Sequence, residues 1–186
     1  MLLFFGGNSV KFLIAQGFGL CAMIALFCIY QQKSRRNLLI CKLLADVFWV
    51  VHYFLLGAYG GMVPNFVGIF RELTFMQRDK KRWASVPVIP VLFILANWTI
   101  GFASFSSAIN ILPIASSTFV TISLWLRNPV LTKIISAPVS LTFLIYDIFV
   151  GSWIGVINES LAICSIILSF VCKKNTETAP DNHDRP

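Results

Sequence analysis

The feature that most constrains this chain is a run of seven apolar blocks, each about 20 residues long, joined by short connections. An α-helix rises about 1.5 Å per residue and a bilayer core is about 30 Å thick, so such a block is the length of one crossing. Seven of them use about 140 residues of a 186-residue chain. Charged residues are 12% of the total and hydrophobic ones 57%, whereas a soluble domain carries about twice that charge. A soluble enzyme, a nucleic-acid-binding domain and a secreted disulfide scaffold are excluded on these grounds. The class expected is an all-α integral membrane protein with a lipid bilayer as its solvent.

The spans are read at about 12–30, 38–57, 61–77, 84–103, 107–126, 131–150 and 154–172. Residues 1–172 then form a single membrane domain, and the polar stretch Lys173 to Pro186 is expected to be a disordered cytoplasmic tail. The apolar Met1 to Phe5 has no basic region before it and is not read as a removable signal peptide. Five cysteines (Cys21, Cys28, Cys41, Cys164, Cys172) lie in or beside apolar segments. Without a Cys-x-x-Cys pair they read as reduced, packed thiols, and with two histidines in the chain no metal site and no cofactor are expected.

The net charge of +7 is explained by its distribution rather than by an acidic partner. With the N-terminus outside, 14 of the 15 Lys and Arg residues fall on the inner side and only Lys11 on the outer. Odd connections such as Arg78-Asp79-Lys80-Lys81-Arg82 and Arg127-Asn128-Pro129 carry cations, and even ones such as Ala58-Tyr59-Gly60 carry none. Cations retained on the cytoplasmic side orient a membrane chain, so N-out, C-in with seven helices is expected.

Shifting the chain by 94 residues lays spans one to three on spans five to seven without a gap. Gly57 then falls on Gly151, Gly61 on Gly155, Gln16 on Asn110 and Asn65 on Glu159. Four spans separate equivalent helices, so both copies enter the membrane from the same side. The expected layout is 3+1+3: repeat one at 12–77, a linker helix at 84–103 and repeat two at 107–172. Each Gly-x-x-x-Gly pair straddles a turn, which points to a positive φ rather than a helix–helix dimer contact. The triplets Asn97-Trp98-Thr99 and Asn158-Glu159-Ser160 lie in or at the edge of spans, out of reach of glycosylation.

Polar side chains in such spans need partners or a purpose. Asp46 and Arg71 fall at similar depth, as do Lys42 and Glu72, which predicts a ladder of structural ion pairs, Asp46–Arg71 and Lys42–Glu72, along the hairpin of spans two and three. Toward the outer side lie His52, Asn65, Asp147, Asn158 and Glu159. Asn65 and Glu159, at one repeat position, are expected to face each other across the centre and to bind hydroxyls, amines or a ribose-like group. His52 and Glu159 are candidates to exchange a proton, with Glu159 a candidate partner for His52. Trp49, Tyr53, Trp98, Trp125 and Trp153 are read as pocket lining or core, with Trp83 and Trp153 as anchors beside span ends.

From Leu13 to about Cys172 the chain resembles the YgjV-type bacterial inner membrane proteins. The likeness is carried by Ala15-Gln16-Gly17, by Ser34-Arg35-Arg36, by His52-Tyr53-Phe54-Leu55-Leu56-Gly57-Ala58-Tyr59 with Arg71 nineteen residues after the histidine, and by Gly151 with Glu159 eight residues later. The resemblance implies a multi-pass protein of the bacterial inner membrane. It is distantly similar to SWEET, PQ-loop and PnuC-like transporters, which share the parallel three-helix repeat and bind substrate between repeats. A related member has a second histidine where this chain has Tyr146, and the Pro-Gln dipeptide is absent, so sugar transport is not implied.

The leading functional expectation is a small-solute transporter with its site between two three-helix bundles, and a homodimer is compatible with it. The alternative is a membrane protein that scaffolds or modulates a partner through surfaces such as Arg78–Arg82. No His-Glu-x-x-His, Gly-x-Ser-x-Gly or paired aspartates at protease spacing occur, so an intramembrane enzyme is not expected.

Overall fold

In the computed structural model of the protein, residues 9–29, 32, 34–104, 107–127 and 129–177 are described. They form seven α-helices: α1 (Ser9–Ile29), α2 (Arg35–Leu56), α3 (Tyr59–Gln77), α4 (Val88–Ala103), α5 (Ile111–Leu126), α6 (Pro129–Val150) and α7 (Trp153–Glu177). Two short 3-10 turns, Arg82–Ser85 and Ala108–Asn110, precede α4 and α5, and no strand occurs among the described residues. Each expected span has its helix. Helix α4 starts four residues late, at Val88, because the chain spends Arg82–Ser85 in the 3-10 turn and Pro87 sits at the helix cap. At the other end α7 continues to Glu177, past Lys173; the rest of the tail and the apolar stretch Met1 to Phe5 lie outside the described residues.

Side-chain placement is inverted relative to a water-soluble protein. Leu13, Ile24, Phe54, Leu95, Ile134 and Phe149 are among many large apolar residues facing outward, while Asp46, His52, Arg71, Glu72, Asn97 and Asp147 are buried. Hydrophobic residues outside and polar ones inside suit a chain surrounded by lipid. Three stretches, Val10–Ile29, Arg35–Leu56 and Ala108–Leu126, are long and apolar enough to cross a membrane by length and composition. Val88–Ala103, Ile134–Val150 and Trp153–Ile167 are apolar but shorter, and α3 carries Asn65, Arg71 and Glu72 within its length.

The helix ends follow from local chemistry. Ser34, in extended conformation, accepts the Asn37 N–H and caps α2, satisfying one of the orphan donors of the first turn. At the other end Gly57 takes φ 71° and Ala58 N–H returns to the Tyr53 carbonyl at 2.9 Å, a left-handed stop that glycine adopts without strain. Helix α6 stops in the same way: Gly151 takes φ 73°, and Ser152 N–H returns to the Asp147 carbonyl at 2.9 Å. The two stops coincide residue for residue under the 94-residue shift.

Helix α1 packs on α2 and α2 on α3; α5 packs on α6 and α6 on α7. Two further contacts, α3 with α5 and α1 with α7, close these six helices into a ring, and α4 lies against α3 and α5. Asn97 and Trp98 fasten α4 to α5, donating to the Ile114 carbonyl at 2.9 Å and the Thr118 hydroxyl at 3.0 Å. A core of Ala22, Ala45, Trp49, Tyr53, Ala58 and Tyr146 fills the ring near the α2–α3 turn. Trp49 stacks on Tyr53, whereas Trp83 and Trp153 are exposed at helix ends. Cys21, Cys28, Cys41 and Cys164 are free thiols, Cys21 and Cys164 on the exposed surface rather than packed inside.

Candidate functional site

The two left-handed stops bring the last turns of α2 and α6 together. The Tyr53 hydroxyl donates to Asp147 Oδ1 at 2.9 Å, and these residues are 94 positions apart. Tyr146, next to Asp147, accepts the Gly61 N–H at 2.7 Å and sets its ring edge against Tyr53. Gly61 has no side chain for this reason: a Cβ there would come within 2.7 Å of the Tyr146 ring. His52, fully buried, places Nδ1 2.7 Å from the Ala15 carbonyl and Nε2 2.8 Å from Ser152 Oγ. A carbonyl only accepts, so Nδ1 carries the proton and, in the neutral ring, Nε2 accepts from the Ser152 hydroxyl. The ring fits because Gly19 leaves room for it.

Ser152 stands just before α7, where a serine ordinarily caps its own helix. Here its hydroxyl is engaged by His52, and the capping is done from α1. Gln16 Oε1 accepts the Ile154 N–H at 3.0 Å and its Nε2 reaches the Gly151 carbonyl at 3.4 Å. At α3 the counterpart amide is also close to the first turn. Asn110, the counterpart of Gln16, lies over Gly60, the counterpart of Ile154, so closely that a Cβ on Gly60 would be 2.5 Å from its Oδ1.

Further along α2 and α3 the four expected charges form one cluster, in which the ladder's cross-helix pairs are the longer contacts and two pairs within a helix are the shorter ones. Lys42 pairs with Asp46 one turn along α2, and Arg71 forms a two-pronged contact with its neighbour Glu72 at 2.9 and 3.0 Å. The expected cross-helix pairs, Asp46–Arg71 and Lys42–Glu72, stand at 4.0 Å each. Asp46, Arg71 and Glu72 are buried, and Gly68 admits the Asp46 carboxylate to the face of α3. Arg71 also crosses to α5, donating to Thr121 at 2.9 Å and Ser117 at 3.5 Å. Sequence reasoning missed that contact and also the part of Ser152; the alignment of Gln16 with Asn110 was the signal for the two amides.

Asn65 and Glu159 each hydrogen-bond to a near neighbour rather than to each other. Asn65 donates to the Gly61 carbonyl one turn back in α3 at 2.7 Å, the local bond that a short amide in a helix finds first. Glu159 instead takes the Asn158 amide at 2.9 Å and the Ser140 hydroxyl. His52 has Ser152, not Glu159, as its side-chain partner. Asp147 Oδ2 and Asp46 Oδ2 are buried and make no hydrogen bond.

Below these layers the first half grips the end of α5. Arg35 donates to the Leu124 carbonyl at 2.7 Å, and Arg78 donates to that of Trp125 at 2.6 Å while lying 3.6 Å over the Trp125 ring. These are orphan acceptors of a helix C-terminus, where cations are favoured. A cavity of about 90 Å³ opens between α2, α5 and α6, lined by Lys42, Ser123, Thr132 and Ser136 among others. Among the described residues no group of three or more His, Cys, Asp or Glu side chains is placed to hold a metal ion.

A family model described as a bacterial inner membrane protein, Imp-YgjV, matches residues 13–176. No curated protein and no solved structure matches the chain.

Proposed function

The chain belongs to the Imp-YgjV family of bacterial inner membrane proteins, and from that premise we propose that it is a small-solute transporter made of two parallel three-helix halves. In this reading α1–α3 and α5–α7 are the halves, α4 returns the chain to the starting side, and all seven helices cross the membrane with the N-terminus outside. The observation that carries it is the Tyr53–Asp147 hydrogen bond. A residue touches its own symmetry mate only on the twofold axis, so a contact between positions n and n+94 supports an axis running through this pair. The ring agrees with it, because the contact of α3 with α5 and the contact of α7 with α1 are exchanged by the same operation.

The buried polar groups support a path rather than mere packing. Polar side chains in a membrane interior are costly, and here they concentrate where the halves meet: Tyr53 on Asp147, His52 on Ser152, Arg71 on Thr121. The cavity of about 90 Å³ between α2, α5 and α6 is walled by aliphatic side chains such as Val120, Leu124 and Val139 as well as by hydroxyls. A small-molecule pocket is about 300 Å³ or more, so solute passage requires the halves to rock apart. The groups that rocking would expose are hydroxyls, amides and carboxylates, which suit a polar solute with hydroxyl or amine groups.

The test is thermal unfolding of the purified protein against sugars, nucleosides, amino acids and vitamins, followed by flux of any stabilising compound into proteoliposomes. A ligand present at 100 times its dissociation constant adds about 2.7 kcal/mol to the folded state. One compound that stabilises the wild type, crosses the vesicle membrane, and does neither with folded Glu159→Gln is the expected result. Absence of both stabilisation and flux across the panel would turn the reading to a protein that scaffolds a partner.

A further inference from the structure

We propose that Asp147, Ser152 and His52 form a site that binds one exchangeable proton per chain, at the junction of the two halves. Its use in coupling transport rests on the reading above; the site itself rests on geometry. Asp147 is 1% exposed, accepts from Tyr53 through Oδ1, and has an Oδ2 without a hydrogen bond. The titratable groups around it are His52 and Tyr53 on α2, Tyr146 on α6 and Glu159 on α7. No Lys or Arg stands among them. Among the described residues no cation stands beside the carboxyl, and a proton on the bare Oδ2 would leave it neutral in its buried place.

The proton has a place to go. Asp147 Oδ2 and Ser152 Oγ converge on the space above Gly155, so closely that a Cβ there would overlap both. Three hydrogen bonds of the row are in place, Tyr53 O–H to Asp147 Oδ1, Ser152 O–H to His52 Nε2 and His52 Nδ1–H to the Ala15 carbonyl. A proton on Asp147 Oδ2 faces Ser152 Oγ across the space above Gly155, and a turn of the carboxyl completes the link. Transfer moves the Asp147 proton to Ser152 Oγ while the Ser152 proton passes to His52 Nε2. It leaves a carboxylate and an imidazolium with no net change of charge, and it reverses by the same route. Gln16 makes the row workable by capping α7 in place of Ser152, which frees that hydroxyl to turn.

The repeat shows that the row is specific. In the matching place of the other half, the counterpart of His52 is Tyr146 and that of Ser152 is Ala58, a position with no hydroxyl. The same backbone frame is present twice but carries the transferable proton once. Because the row joins α1 and α2 to α6 and the start of α7, parting the halves opens it and exposes the proton to water.

The experiment uses the full chain in detergent with His183→Gln, which leaves His52 as its single histidine. Infrared difference spectra in H2O and D2O at neutral pH report protonated carboxyls, and ring 15N spectra report the state of His52. The expected result is a carboxylic-acid C=O band that is missing in Asp147→Asn and shifted in both Ser152→Ala and Tyr53→Phe, with His52 protonated on Nδ1 alone. The latter two variants keep the test decisive if Asp147→Asn does not fold. A doubly protonated His52 at neutral pH, or a carboxylic-acid spectrum untouched by Ser152→Ala and Tyr53→Phe, overturns the proposal. If the band is present and no solute crosses, the transport reading fails and the proton site stands. If flux is found without the band, the reverse holds.

Discussion

Arg71 has the most demanding position of any single residue: a charge buried in α3, with its guanidinium shared between Glu72 and the Thr121 hydroxyl. Removing one partner of a buried ion pair leaves the other uncompensated, which costs about 3–5 kcal/mol, whereas replacing both by apolar groups is often neutral. Arg71→Met is therefore expected to lose stability on that scale, and Arg71→Met with Glu72→Met to recover most of it. Chemical unfolding of the purified variants measures both, and additive losses in the double variant would mean that Arg71 acts through α5 rather than through Glu72. Depth counting from the sequence brought Lys42, Asp46, Arg71 and Glu72 together correctly as a group. It gave the cross-helix pairs, which stand at 4.0 Å, and not the shorter pairs within each helix, because it weighed depth alone. The lysine one turn before Asp46, and the glutamate adjacent to Arg71, reach with less reorganisation. Thr121 gave no signal, since a threonine in an apolar helix ordinarily bonds to the carbonyl one turn back, as it also does here with Ser117.

Among the elements, α7, like α3 with its Gly61 N–H on Tyr146, has a beginning that depends on the other half of the chain. Its Ile154 N–H is satisfied by Gln16 of α1, and loss of an N-terminal cap typically costs about 1 kcal/mol. Gln16→Leu, which keeps the bulk, is expected to lower stability by about that amount and to raise hydrogen exchange at Ile154 more than at amides in the middle of α7. Uniform exchange along α7 would show that α1 does not hold its start. This contact was partly legible. Alignment at 94 residues placed Gln16 on Asn110 and Gly57 on Gly151, and both glycines do take positive φ. What the alignment could not carry was the direction of each amide, because it depends on how α1 meets α7, a contact between segments more than 130 residues apart. Asn65 and Glu159, at one repeat position, take different hydrogen-bond partners for the related reason that a symmetric position does not impose a symmetric partner. An amide and a carboxylate on the same frame satisfy themselves differently.

For the whole molecule the decisive element is α4. If α4 crosses the membrane, equivalent helices are four crossings apart and run in the same direction, as a twofold axis through Tyr53 and Asp147 requires when it lies along the membrane normal. If α4 lies on the surface, they are three crossings apart, the halves are inverted, and that axis lies in the membrane plane. Helix α4 has 16 residues, about 24 Å at 1.5 Å per residue, somewhat short of a bilayer core of about 30 Å. The cations argue that it crosses: Arg78, Lys80, Lys81 and Arg82 precede it, while the segment from Ser104 to Ser107 carries none, and the next cation is Arg127 at the far end of α5. Retention of Lys and Arg on the cytoplasmic side places both basic connections there, and only an odd number of crossings then separates the two termini. Reporter fusions decide it. A fluorescent protein joined after residue 186 is expected to be bright and alkaline phosphatase at the same point inactive. Phosphatase inserted at the Gly57, Ser104 or Gly151 turns is expected to be active, and inactive when placed after Arg82 or Arg127. Activity after Arg127 together with inactivity at Ser104 would take α4 out of the membrane, and with it the parallel halves on which rocking around Tyr53 and Asp147 depends.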